Sequence, residues 1–262
     1  MISSPANPHV KHIRSLAADR RERRRERLFV LEGVRLVADA LELGGALDLV
    51  LYAPDQLDDT PAGRRLHEQL RRLPGSYEAT PQVVAAASDT VHPQGVVALA
   101  HWPQIEPERP GIILVLDAIQ DPGNMGTLLR SAEAIGVAQV LCVNGTVDAY
   151  SPKVVRAAMG AHMRLALEQD LSWDETSEAL LFVDQVYAAE AEARMPYYAA
   201  DWRQPSALIV GNEAHGLSDE ARARATRLIS IPMKGRAESL NVAMAGSVIL
   251  FEALRQRSLG RS

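Results

Sequence analysis

Cysteine is almost missing: Cys142 is the single one among 262 residues. No internal disulfide can form, and a reducing, cytoplasmic setting is the simplest expectation. The seven histidines are scattered, none at a metal-ligand spacing to Cys142 or to another histidine, so no metal site is expected. No apolar run approaches the roughly 20 residues of a membrane helix. The opening MISSPANPHVKHIRSL also lacks the apolar stretch of a secretory signal, so no membrane association is expected. Three familiar signatures are absent as well. Without GxGxxG after a first strand or GxxxxGK[ST], ordinary dinucleotide binding and nucleotide hydrolysis lose their best support. Without GxSxG there is no hydrolase elbow. Aromatics are scarce, yet 47% of the residues are hydrophobic, enough for a substantial core.

The net charge of −5 argues against a nucleic-acid partner until it is located. Residues 1–27 hold eight Lys/Arg against three Asp/Glu, and RRERRRER (20–27) carries most of that excess. Such a run can be a solvated helix, with Glu22 and Glu26 pairing to arginines one turn away. Segregation of basic charge into one end also suits an arm that meets phosphate. Lys11, Arg20, Arg21, Arg23, Arg24 and Arg27 are the candidate RNA contacts.

Prolines 93, 103, 107 and 110 interrupt the apolar pattern and divide the chain into residues 1–104 and 105–262. In the first part, LFVLEG (28–33), LDLVLYA (47–53) and GVVALAH (95–101) read as strands. GVRLVADALELG (33–44) and GRRLHEQLRRL (63–73) read as helices, together a small α/β layer structure. In the second part, IILVLDAI (112–119) is a near-continuous apolar strand of the kind buried on both faces of a parallel sheet. AQVLCV (138–143), ALLFVDQV (179–186), SALIVG (206–211) and RLISIP (227–232) repeat that character. Ser151-Pro152 and Ser218 read as helix starts, and a last helix is expected from Ser239 to about Arg257.

Three segments lie where an open α/β sheet places its ligands, beyond the carboxyl ends of strands. In DPGNMGTLLRSAEAIG (121–136), Asn124 is expected to cap a helix from Met125, Gly126 allows close backbone approach, and Arg130 lies one and a half turns in. In LIVGNEAHGLSDE (208–220), Gly211 and Gly216 flank Glu213 in a strand-to-helix loop. In ISIPMKGRAESLNVAMAGS (229–247), a polar loop leads to Ser239 and Asn241 at a helix start, where unpaired amides attract anions. Taken alone, each segment has a simpler reading as an ordinary capped helix or turn.

Together their order and spacing resemble the three motifs of the SpoU-type ribose methyltransferases. Asn124, Gly126 and Arg130 match the first, Gly211, Glu213, Gly216, Leu217 and Ser218 the second. Ile231, Pro232, Met233, Ser239, Leu240, Asn241 and Val242 match the third. Periodicity alone would suggest an unknotted doubly wound sheet. The resemblance implies instead a C-terminal α/β trefoil-knot (SPOUT) domain over 105–262. Residues 1–104 then form a smaller α/β RNA-binding domain, similar to ribosomal proteins that bind kinked RNA. It implies S-adenosylmethionine as methyl donor, held by Gly211, Gly216, Ile231, Met233 and Leu240. It implies a catalytic set of Arg130, Asn124, Glu213, Ser239 and Asn241, and a homodimer formed through the knot-domain helices.

A guanidinium keeps its proton above pH 12, so Arg130 is expected to bind phosphate and stabilise developing alkoxide charge rather than act as general base. The acceptor expected is a ribose 2′-hydroxyl of 23S ribosomal RNA. The alternatives are a transfer RNA ribose, a base or a protein as acceptor, or a catalytically silent ribosome assembly factor.

Overall fold

The structure is a computed structural model that describes residues 1–235 and 239–259. The chain forms two units, and the division is not a single cut. The first comprises Met1–Pro103 together with Tyr150–Met163, a stretch that the sequence assigns by position to the second domain.

Helix α1 (Pro8–Ala18) begins where the Asn7 side chain accepts from His9 N, with proline at the first helical position. Its stripe of Val10, Ile13 and Leu16 is fully buried, so the basic arm of residues 1–27 is tied into the core of the first unit through α1. Helix α2 (Arg20–Glu26) starts on an Asp19 cap. One arginine of the basic run departs from expectation. Arg23 is 4% exposed, and its guanidinium donates to the Leu16 and Ala17 carbonyls at the end of α1. It satisfies carbonyls that a helix terminus leaves unpaired and is not available to phosphate. Lys11, Arg21, Arg24 and Arg27 are exposed or nearly so at the surface, and Arg20 is half-buried. Arg25 pairs with Glu22 and Glu26, while Glu26 also meets His12 Nε2 at 2.6 Å.

The chain continues through β1 (Leu28–Glu32), α3 (Val34–Glu42), β2 (Leu47–Tyr52), α4 (Pro54–Leu57), α5 (Pro61–Leu70), β3 (Ser76–Glu78), α6 (Pro81–Ala87) and β4 (Val96–His101). The sheet order is β1-β4-β2-β3, antiparallel except for the β2–β3 pair. The returning stretch packs Tyr150 against Phe29 and, stacked at 4.2 Å, against Trp102. It also carries α8 (Pro152–Ala158), capped by Ser151 as expected, with Arg156 on Asp89 at 2.9 Å.

The second unit is built on a seven-stranded parallel sheet, order β7-β6-β5-β10-β8-β11-β9. The strands are β5 (Ile112–Leu116), β6 (Gln139–Val143), β7 (Leu167–Leu171), β8 (Gln185–Ala189), β9 (Met195–Pro196), β10 (Ser206–Val210) and β11 (Arg227–Ser230). Helices α7 (Pro122–Ile135), α9 (Trp173–Leu180), α10 (Asp219–Arg224) and α11 (Val242–Leu259) complete it.

ALLFVDQV is not a strand. Ser172 and Glu175 form a reciprocal capping box that commits 173–180 to α9, burying Thr176 and Leu180 one turn apart. Leu181 and Phe182 then face solvent, 82% and 59% exposed, and the strand begins at Gln185. A short apolar run does not by itself distinguish the end of a helix from a buried strand.

Two helix starts also differ from expectation. Asp121, not Asn124, caps α7, accepting from Asn124 N at 2.8 Å. Asn241, not Ser239, takes the cap position of α11, its Oδ1 accepting from Ala243 N and Met244 N. Helix α11 lies on α7. Gly246 permits this, because a Cβ there would sit 2.5 Å from Leu128 Cδ2. Ser131 Oγ and Ser247 Oγ bond across the seam at 2.7 Å.

Candidate functional site

The parallel sheet aims the carboxyl ends of β5, β10 and β11 to one edge, and the loops that leave them are bound to one another. Beyond β5, buried Asp117 accepts from Ser218 N at 2.7 Å, fixing the start of α10. Beyond β10, Asn212 and Gly216 exchange backbone hydrogen bonds of 2.8 and 2.9 Å, closing a tight loop. The Asn212 side chain donates to the Ala118 carbonyl and accepts from Ala214 N and His215 N. Gly211 is required by close approach: a Cβ there would lie 2.4 Å from the Gly216 carbonyl oxygen.

Glu213 is the centre of the polar network. Its Oε2 accepts from Gln120 N at 3.0 Å, and its Oε1 accepts from Asp121 N at 3.1 Å and Asn124 Nδ2 at 3.0 Å. Asn241 Nδ2 donates in turn to Asn124 Oδ1 at 2.9 Å. Three separate segments of sequence are thereby locked into one surface. Partial burial works against the charge of Glu213, but the bonds from Asn124, Gln120 and Asp121 outweigh it and hold the carboxyl below its usual range.

A depressed carboxyl fixes the sign of the pH effect. Glu213 stabilises the native state in full above its ordinary value of about 4.5, and that contribution disappears as the pH falls through the depressed native value. The melting temperature of the wild type should exceed that of Glu213→Gln at pH 7, with the gap closing only below about pH 4.5. A gap constant from about pH 7 to about pH 3 would show that the charge of Glu213 does not stabilise the fold.

A cleft of about 520 Å³ opens beside the network. Its walls include Gly211, Gly216, Ile231, Met233 and Leu240, the five residues expected to hold a donor. Asn124, Glu213, Ser239 and Asn241 line it too, with Val210, Ile229 and Ile249 supplying apolar surface. Arg130 is placed differently. It is exposed on α7, does not line the cleft, and has no hydrogen bond or ion pair among the described residues.

Sequence reasoning missed Asp117, the Ala118 carbonyl, the Gln120 and Asp121 amides, and Glu190 on the cleft wall. An acid closing an apolar strand is a readable sign for Asp117; main-chain contributions have no residue-type signal. Among the described residues no helix is long and apolar enough to cross a membrane.

A profile of the SpoU rRNA Methylase family matches residues 111–251, and one of the MRM3-like substrate binding domain matches residues 7–98. The chain is 30% identical to the 23S rRNA (guanosine(2553)-2′-O)-methyltransferase RlmP of Bacillus subtilis (strain 168), over 95% of this chain and 97% of that protein. It is also 30% identical to the 23S rRNA (uridine(2479)-2′-O)-methyltransferase of Streptomyces viridochromogenes, covering 98% and 92% of the two chains. The fold is similar to that of an AdoMet-bound rRNA methyltransferase from Sinorhizobium meliloti, with a TM-score of 0.83, 32% identity and 97% of each chain covered. With the family profile spanning more than half the chain and the whole of the cleft, the protein belongs to the SpoU rRNA methylase family.

Proposed function

We propose that this protein transfers a methyl group from S-adenosylmethionine to a ribose 2′-hydroxyl of 23S ribosomal RNA, in the cytoplasm and as a homodimer. The observation that carries the reading is the cleft itself, where the three motif segments converge and the Glu213–Asn124–Asn241 network forms one wall. Its volume lies within the roughly 300–1,000 Å³ of small-molecule sites. The missing Cβ at Gly211 lets the Gly216 backbone close against it, which shapes this wall, and Val210, Ile229, Ile231 and Leu240 line the cleft with apolar surface. The residues present therefore fit such a donor. The packing of α11 on α7, with Ser247 bonded to Ser131 and Asn241 to Asn124, supports a reading of this unit as the deep trefoil knot of the SPOUT class.

The donor supplies an electrophilic methyl on a sulfonium; the protein supplies alignment. Gly211, Gly216, Ile231, Met233 and Leu240 hold the donor, and Asn124, Glu213 and Asn241 keep the motif loops in register. Ser239, on the cleft wall, orients the ribose. The exposed Arg130 guanidinium binds an adjacent RNA phosphate and stabilises negative charge developing on the 2′-oxygen. The activities in the names of the relatives favour 23S RNA over transfer RNA. The complete, hydrogen-bonded site disfavours a silent assembly factor.

Mapping 2′-O-methyl groups in ribosomal and transfer RNA, with and without the enzyme, identifies the target nucleotide. An RNA carrying 2′-deoxyribose there should bind and accept no methyl. Methylation of that deoxy substrate would show that the acceptor is not the ribose hydroxyl.

We assign substrate binding to residues 1–104, completed by the 150–163 segment. Lys11, Arg20, Arg21, Arg24 and Arg27 meet phosphate, with Arg23 serving the fold instead. Because α1 is core, the test is substitution and not deletion. Replacing Lys11, Arg21, Arg24 and Arg27 with glutamine should lower the salt dependence of RNA binding by roughly 0.7 in slope for each phosphate no longer neutralised, with donor affinity unchanged. An unchanged slope would return the run to a solvated surface.

The dimer reading rests on α11, which exposes Met244, Val248 and Phe251 along one stripe. Leu254, one turn further along, is half-buried. A stable pair needs at least about 1,000 Å² of interface. Phe251→Glu should give monomers by light scattering; a wild type that is monomeric at micromolar concentration and active would sink the dimer.

A further inference from the structure

On the β10 and α11 side of the cleft, the polar side chains of the network are engaged by protein groups. Both oxygens of Glu213 accept hydrogen bonds, and the Asn124 side chain joins Glu213 to Asn241. Asn212 and Asn241 use both ends of their amides. Such a wall is well oriented but offers a ligand's hydroxyls few acceptors.

The lining contributed by β8 differs. Ala189, Glu190 and Ala191 leave the carboxyl end of β8 and line the cleft. Arg222 of α10 donates to Oε1 of Glu190, and Oε2 has no partner among the described residues. The side chain is 23% exposed, so the carboxylate is held at the wall and not spread into solvent. Strand β8 is the sheet neighbour of β10, whose end carries Gly211. Open α/β sheets commonly grip a nucleotide's ribose with an acid on a strand beside the glycine loop.

We propose that Glu190 accepts hydrogen bonds from the ribose hydroxyls of the methyl donor, with Arg222 positioning its carboxylate. This rests on the donor-site reading above. The competing explanation is a surface ion pair tying β8 to α10, which would contribute little.

Calorimetric titration separates the two. The probes are S-adenosylmethionine, 5′-methylthioadenosine, and 2′-deoxy and 3′-deoxy forms of the latter. Wild type should lose about ten- to a hundredfold in affinity on removal of a gripped hydroxyl. Glu190→Ala should bind S-adenosylmethionine more weakly by a similar factor, and its deoxy penalty should shrink to within about threefold. Arg222→Ala keeps the carboxylate and should keep most of the penalty. A penalty that persists in Glu190→Ala overturns the proposal while the donor site stands, as does equal weakening by both variants with the penalty intact. Wild type that fails to bind S-adenosylmethionine overturns the donor site and this assignment together.

Discussion

Arg130→Ala should lower the single-turnover methylation rate by at least about a hundredfold, the scale of losing one positioned catalytic group. Its affinity for S-adenosylmethionine should stay close to that of wild type. The separation follows from placement: Arg130 stands on α7, outside the lining of the cleft, with no protein partner among the described residues. As an exposed side chain it should also leave stability within about 0.5 kcal/mol. Arg130→Lys should rescue little, since an ammonium keeps the charge but not the planar two-pronged contact. Loss of donor binding with an intact saturated rate would remove Arg130 from the chemistry.

Gly211→Val should show the opposite pattern, with donor binding lost before anything else. An added Cβ would sit 2.4 Å from the Gly216 oxygen, 2.5 Å from its carbonyl carbon and 2.6 Å from Leu217 N. These are backbone atoms and cannot swing aside as a side-chain tip can. Relief must come from opening the Asn212–Gly216 pair, and the wall of the cleft moves with it. Overpacking of this kind costs about 1–3 kcal/mol, so the protein should still fold. A folded Gly211→Val that binds the donor as tightly as wild type would show that the cleft is not where the donor sits.

Apolar runs were enough to find most strands, because a strand buried on both faces must be apolar throughout. They failed at 179–186, where the competing signal was a polar one: the Ser172–Glu175 capping box decides that segment. Helix α1 is legible in Asn7-Pro8 as a start and in Val10, Ile13 and Leu16 at helical spacing, a weaker signal than the charge of the arginines beside it. Arg23 shows the limit of composition, since nothing in RRERRRER marks which arginine turns inward. In the site, three motif segments pointed to side chains that share a cleft, because spacing along strands and helix starts constrains where they project. Glu190 and Arg222 come from outside those segments, and their meeting depends on β8 lying beside β10, an adjacency that no local pattern encodes.

The 150–163 segment bears on the order of synthesis. When Met1–Pro103 has been made, Phe29 and Trp102 still lack the Tyr150 ring that packs on both. Asp89 likewise waits for Arg156, and β1 waits for α8. Domains generally fold as units, N-terminal first, as a chain is made. Here the N-terminal unit is finished only after β5, α7 and β6 of its neighbour have been translated, so the two units mature in overlapping rather than successive steps.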